Sequence, residues 1–140
     1  MREITLLLLL FSTIFVYGQN VQGKWRTIDH ESGKAKSVVE IYERNGKIYG
    51  KIIEVLNREN PEELICDGCP EDWKNKSILG LEIIRNLEKD DDGWYADDAI
   101  IDPERKKVYD CRLWREGDIL KVRGYLGWLY STQEWERVSD

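Results

Sequence analysis

Ser37-Val38-Val39-Glu40-Ile41-Tyr42-Glu43-Arg44-Asn45-Gly46-Lys47-Ile48-Tyr49-Gly50-Lys51-Ile52-Ile53 decides the fold class. Two runs of β-branched and aromatic residues flank Asn45-Gly46, the strongest short-range hairpin signal, because both residues of the tight turn take positive φ. A two-residue turn pairs Arg44 with Lys47, Tyr42 with Tyr49, Glu40 with Lys51 and Val38 with Ile53. The alternate positions Val39, Ile41, Ile48, Gly50 and Ile52, with Glu43 near the turn, share the other face. That face is the more apolar and is expected to point inward. The Glu40–Lys51 pair then lies outside, where it contributes only a few tenths of a kcal/mol.

The same alternation recurs along the chain. Lys107–Trp114 and Ile119–Tyr125 flank Arg115-Glu116-Gly117-Asp118, read as a four-residue turn that sets Leu113 against Leu120 and Cys111 against Val122. Those four residues share an inward face, with Arg112 and Lys121 outside. Further strands are expected at Gly23–Asp29, Leu81–Leu87, Trp94–Ile101 and Ser131–Val138, although the apolar spacing of Leu81–Leu87 also suits a short helix. Asp91-Asp92-Gly93 and Asp102-Pro103-Glu104 supply turn chemistry. Residues 57–78 read as an irregular segment. Eight short antiparallel strands fit a sandwich or an up-and-down barrel, since closure removes exposed edges. In a closed barrel the first and last strands are neighbours, so Trp25 and Arg137 are placed to meet as a cation–π pair.

The chain has 140 residues, of which 34% are charged and 41% hydrophobic, with six Trp, seven Tyr and a net charge of −6. That length suits one domain. The aromatic content excludes a disordered chain, and the acidic balance argues against nucleic-acid binding, which needs a basic footprint. Met1-Arg2-Glu3, an apolar run from Ile4 to Val16 and Tyr17-Gly18-Gln19 make a secretory signal peptide. The run is short for a bilayer span, which takes about 20 apolar residues. Residues 1–18 are therefore expected to be removed, leaving an exported domain over residues 19–140, periplasmic or extracellular, with no stable membrane insertion.

Cys66 and Cys69 in a Cys-x-x-Cys spacing invite a disulfide, a redox pair or half of a metal site. Pro70 and the acidic neighbours Asp67, Glu71 and Asp72 oppose a depressed thiol pKa. A structural zinc needs four ligands, and Cys66, Cys69, Cys111 and His30 are all the chain has. The disulfide is the favoured reading, with Cys111 as a buried free thiol. No catalytic constellation, phosphate loop, EF-hand or cofactor motif appears, and His30 sits in a turn-like stretch. No cofactor or metal and no enzymatic activity are expected.

Several stretches resemble a bacterial secreted family, the domain-of-unknown-function family 2147. They are Gly23-Lys24-Trp25, Ser37–Tyr42, Asn45–Ile52, Cys66-Asp67-Gly68-Cys69-Pro70, Lys74-Asn75-Lys76, Gly80-Leu81, Ile101-Asp102-Pro103-Glu104, Leu120–Gly127 and Thr132–Val138. Ser131 stands where the family usually has Arg, and Ala96-Asp97-Asp98 where it has a Gly-rich stretch. The resemblance implies an all-β, eight-stranded lipocalin-like (calycin) barrel able to hold a small ligand, with no catalytic residues to carry over, and the apolar strand face makes a small apolar or amphipathic molecule the expected ligand. Strand parity puts Trp25, Val39, Ile41, Ile48, Ile52, Leu113, Leu120, Val122, Gln133, Trp135 and Arg137 on the candidate binding wall. Gln133 and Arg137 would orient a carbonyl or carboxylate, and Gly50 would leave room. Two other functions remain open: a thiol-redox protein using Cys66 and Cys69, and an envelope interaction module.

Overall fold

The computed structural model describes residues 20–139, so the expected leader, residues 1–18, and its cleavage site lie outside the described residues. Eight strands run in order: β1 (Gly23–Ile28), β2 (Ala35–Arg44), β3 (Lys47–Val55), β4 (Glu82–Asp90), β5 (Gly93–Asp102), β6 (Lys107–Glu116), β7 (Ile119–Leu126) and β8 (Leu129–Arg137). Each pairs antiparallel with its sequence neighbour, and β8 returns to β1, closing the barrel. The barrel reading therefore holds against the sandwich. Leu81–Leu87 is a strand, its core running to Asp90. No helix among the described residues is long and apolar enough to cross a membrane.

The first hairpin forms as its turn dictates. Asn45 and Gly46 take φ of 54° and 77°, and Arg44↔Lys47, Tyr42↔Tyr49 and Glu40↔Lys51 are partners. The Lys51–Glu40 ion pair lies outside at 3.6 Å. One pairing is corrected. A bulge between Val38 and Val39 sets Val38 against Glu54 rather than Ile53. A bulge of this kind bends the strand and adds twist, as closing a sheet into a small barrel requires.

The second hairpin is also corrected in register. Its turn has two residues, Gly117-Asp118, with Glu116 opposite Ile119, so Leu113 faces Val122, Arg115 faces Leu120 and Cys111 faces Gly124. Gly117 takes φ of 60°, and a glycine leading a two-residue turn suits the right-handed twist of paired strands. The slip from the expected register is two positions. Because side-chain period is also two, Cys111, Leu113, Leu120 and Val122 all still point inward, and none is more than 3% exposed.

Residues 56–81, between β3 and β4, do more than connect. Ile84 faces the interior as partner of Gly50 and Ile100, so its neighbours Ile83 and Ile101, the latter paired with Val108, face outward. Ile83, Ala99 and Ile101 are nonetheless buried, in one apolar cluster with Cys66, Cys69 and Trp73 of the connection. The connection thus covers an apolar patch on the barrel's outside. Cys66 and Cys69 are joined as a disulfide, and the segment is tied back on itself by the Ile65–Ser77 bridge and by Cys66 N–H donating to Lys76 O at 2.7 Å. Trp73 Nε1–H donates to Glu82 O at 2.7 Å, pinning the segment to β4.

Both disulfide cysteines are buried, as is the free Cys111, whose thiol pKa is pushed up by burial. A thiol held neutral in an apolar site is a poor nucleophile. In folded, unreduced protein no cysteine is expected to react with iodoacetamide, and unfolding without reductant should release one reactive thiol. Rapid labelling of Cys66 or Cys69 in native protein would contradict the closed disulfide.

Gly93 holds the sharpest backbone constraint. At φ of 130°, a Cβ would sit 2.3 Å from Leu113 O. Only glycine tolerates that approach. Gly93→Ala is expected to cost about 1–3 kcal/mol in urea unfolding, through displacement of β5 from β6.

Candidate functional site

The interior face reads directly from the strand partners. One end of the barrel is shut. Trp25, Ile48, Leu87, Leu113, Leu120 and Trp135 there are all within 3% of full burial. Residues 20–22 cross this end, where Trp25 Nε1–H donates to Val21 O at 2.9 Å and Arg115 Nη1–H donates to Asn20 O at 2.9 Å. The two ends of the chain do meet: Trp25 is opposite Arg137 in the β1–β8 ladder, and the Arg137 guanidinium carbon lies 6.0 Å from the Trp25 ring centroid. Arg115 comes closer, at 5.4 Å, and from β6.

The opposite end differs. The β1–β8 ladder holds only Trp25↔Arg137 and Arg26↔Glu136, so the two strands are unpaired above that level. The inward positions continue through Thr27, Ser37, Ile100, Tyr109, Gly124, Ser131 and Gln133. Burial falls along them. Thr27 and Ser37 are 8% and 9% exposed, Ile100, Tyr109, Gly124 and Gln133 are half-buried, and Ser131 is exposed. Thr27 and Ser37 share a hydroxyl–hydroxyl hydrogen bond of 2.7 Å. A Cβ on Gly124 would meet Tyr109 Cβ at 3.6 Å, ordinary contact, so that position lies beside the Tyr109 side chain without being crowded.

The expected wall residues fall into two groups. Val39, Ile41, Ile48, Ile52, Leu113, Leu120 and Val122, with Trp25 and Trp135, form a packed lower core. Gln133 lies higher and half-buried, its Oε1 accepting from Trp135 Nε1–H at 3.0 Å. Arg137 is exposed, lining a small outer cleft of about 280 Å³ with Gln22, Lys24 and Tyr42. Gly50 does not leave room: a Cβ there would come within 2.9 Å of Ile41 Cδ1 and 3.2 Å of Ile84 Cβ, so neighbouring side chains already fill the space. Gly50→Ala is expected to cost about 1–3 kcal/mol by overpacking, read as a lowered urea midpoint with unchanged slope.

The sequence reading missed Thr27, Ser37, Tyr109, Gly124 and Ser131. Their signal was present, since each continues the parity of Trp25, Val39, Cys111, Val122 or Gln133. Small and polar residues on that face do not register as inward until the ladders place them there. Around the rim, Leu126, Trp128, Leu129 and Tyr130 at the β7–β8 turn are exposed, Trp128 at 87%. Among the described residues no group of three His, Cys, Asp or Glu side chains gathers where a metal could be held.

The fold has a counterpart among solved structures. Protein HP1028 from the human pathogen Helicobacter pylori, described as belonging to the lipocalin family, superposes with a TM-score of 0.71 at 23% identity, over 86% of this chain and 84% of that one. At that identity the likeness shows the lipocalin-like fold. None of the curated proteins matches the chain. Residues 23–137 match the family model described as an uncharacterized protein conserved in bacteria (DUF2147), and with that span covering every strand, the chain belongs to this family.

Proposed function

We propose that the protein is an exported barrel that binds a small, partly apolar molecule in its half-buried end without transforming it. The observation that carries this reading is the gradient of burial along one interior face, from sealed at Trp25 and Trp135 to half-buried at Tyr109, Gly124 and Gln133. Apolar walls with a few placed polar groups are what small-molecule recognition uses. Here the wall is Val122, Cys111, Ile84 and Ile100, and the polar groups are Gln133, Tyr109 and the Thr27–Ser37 hydroxyls. The packed lower core serves as the floor, and its apolar burial, about 25 cal/mol per Å², holds the barrel rigid beneath the ligand. A closed disulfide with both sulfurs buried supports binding over thiol exchange, because exchange needs an accessible sulfur.

The test is a fluorescence titration against fatty acids, small aromatics and isoprenoid-like compounds, repeated with Gly124→Leu. Saturable binding is expected, weakened at least about tenfold by a large side chain at the half-buried Gly124 position. A flat response from the unaltered protein across the panel would overturn the proposal. Export is tested separately, by the mass of the chain recovered from cells, expected to begin at Gln19. An interaction module is the second reading, favoured by exposed Leu126, Trp128, Leu129 and Tyr130 at the end of β8 that does not pair with β1. Clustered exposed apolar side chains of this kind commonly mark contact surfaces.

A further inference from the structure

We infer a second binding site, outside the barrel, for a small carboxylate with a short apolar body. It is a cleft of about 620 Å³ between the outer face of β2–β4 and the connection that precedes β4. Arg44, Lys76 and Arg85 line it together with Asp72 and Glu82, so it carries one net positive charge on a chain whose total is −6. Leu79, which is exposed, and Gly80 supply an apolar side, with Leu81 buried behind them. The site is assembled from β2, β3, β4 and the connection, and nothing in the barrel interior contributes to it.

The cations are held in place but not used up. The Arg44 guanidinium lies 4.0 Å from the Tyr49 ring centroid, and Tyr49 stacks on Tyr42 at 5.9 Å. Tyr49 is fixed in turn by its hydroxyl donating to Asn86 Oδ1 at 2.9 Å. Arg44's nearest carboxylate is Glu82, at 3.7 Å, beyond hydrogen-bond length, so the guanidinium is held by Tyr49 rather than by a carboxylate. Among the described residues, the carboxylate beside the Lys76 ammonium is Asp72, at 3.6 Å. Arg85 is the structural cation of the group. It lies 4.0 Å from the centroid of the buried Trp73 ring and binds Asp72 at 2.7 Å and Glu82 at 3.1 Å. It thereby holds Asp72 ionised to below the usual carboxylate range. Glu82 is occupied a third time, accepting from Tyr42 O–H at 2.8 Å.

The two carboxylates are thus turned toward Arg85 and Tyr42, while Arg44 and Lys76 present donors to the cleft. A guanidinium fork held over an aromatic ring, with an ammonium nearby, suits a two-oxygen carboxylate head. The exposed Leu79 beside it suits a short hydrocarbon body. A neutral molecule of the same shape gains nothing from either cation.

The purified protein, labelled with 15N, is titrated with octanoate, with octanol and with inorganic phosphate. Octanoate is expected to shift the amides of Arg44, Tyr49 and residues 76–86 saturably. Octanol should leave them unmoved, and raised salt should weaken the effect. Arg44→Gln with Lys76→Gln, both more than half exposed and so tolerated by the fold, is expected to weaken octanoate about tenfold. Absence of shifts at these residues overturns the site, as does equal binding of octanol or an unchanged affinity in the double variant. Preference for inorganic phosphate overturns the assigned class. Shifts confined to Tyr109, Gly124 and Gln133 would support the barrel interior alone and dismiss this cleft, so the two proposals fail separately.

Discussion

Trp25→Ala is expected to destabilise the barrel by about 3–5 kcal/mol, a fall in melting temperature of roughly 10–20 °C. The indole is wholly buried at the sealed end, its N–H committed to Val21 O and its ring beneath two guanidinium groups. Truncation removes the largest side chain of that end, leaves Val21 O without its donor and frees residues 20–22 from the end they close. Arg137→Ala should cost much less, because the side chain is exposed. The two substitutions should still couple in a double-mutant cycle. The Trp25–Arg115 cycle should show the larger coupling, since Arg115 is nearer the ring, only 17% exposed, and shares the N-terminal segment as partner. Strict additivity in both cycles would show that the rings and cations do not act together.

Trp73→Ala should be of similar size, about 3–5 kcal/mol, for a different reason. Trp73 is 2% exposed yet lies on a 3-10 turn outside the barrel, between the disulfide and β4. It fills the outer apolar layer over Ile83, Ala99 and Ile101, donates to Glu82 O and supports Arg85. Its loss should release the connection from the barrel wall. Hydrogen exchange would then rise across residues 61–81 well before the β6–β7 ladder is affected. Trp73→Phe should recover most of the packing but not the hydrogen bond. A Trp73→Ala protein with native stability and unchanged protection in the connection would mean the outer layer contributes nothing.

The contrast between these two tryptophans marks where sequence reading reached and where it stopped. Trp25 stands on a strand with an alternating pattern, next to a chain end whose partner follows from closure, so its place inside and opposite Arg137 was legible. Trp73 stands in a segment with no periodicity, and nothing local says which face of which strand it covers. The register of the second hairpin failed for a related reason. Arg115 and Glu116 read as turn residues because they are charged, whereas in the barrel Arg115 extends β6, faces inward and reaches across the sealed end.

Local chemistry alone determined the eight strands, the Asn45-Gly46 turn and the inward face, and favoured the Cys66–Cys69 disulfide. Each depends on a short-range rule: period-two alternation, positive φ at a turn, or the proximity of two thiols three residues apart. Tertiary structure decided the rest. The bulges at Val38/Val39 and around Asn86 and Asp98, the filling of the space at Gly50, and the parting of β1 from β8 all arise from closing a tilted sheet on itself. Closure sets how many side chains fit at each level of the barrel, and no single strand carries that count. The outer cleft is the extreme case, since Arg44, Tyr49, Lys76 and Arg85 become neighbours only once the connection has folded back over the wall.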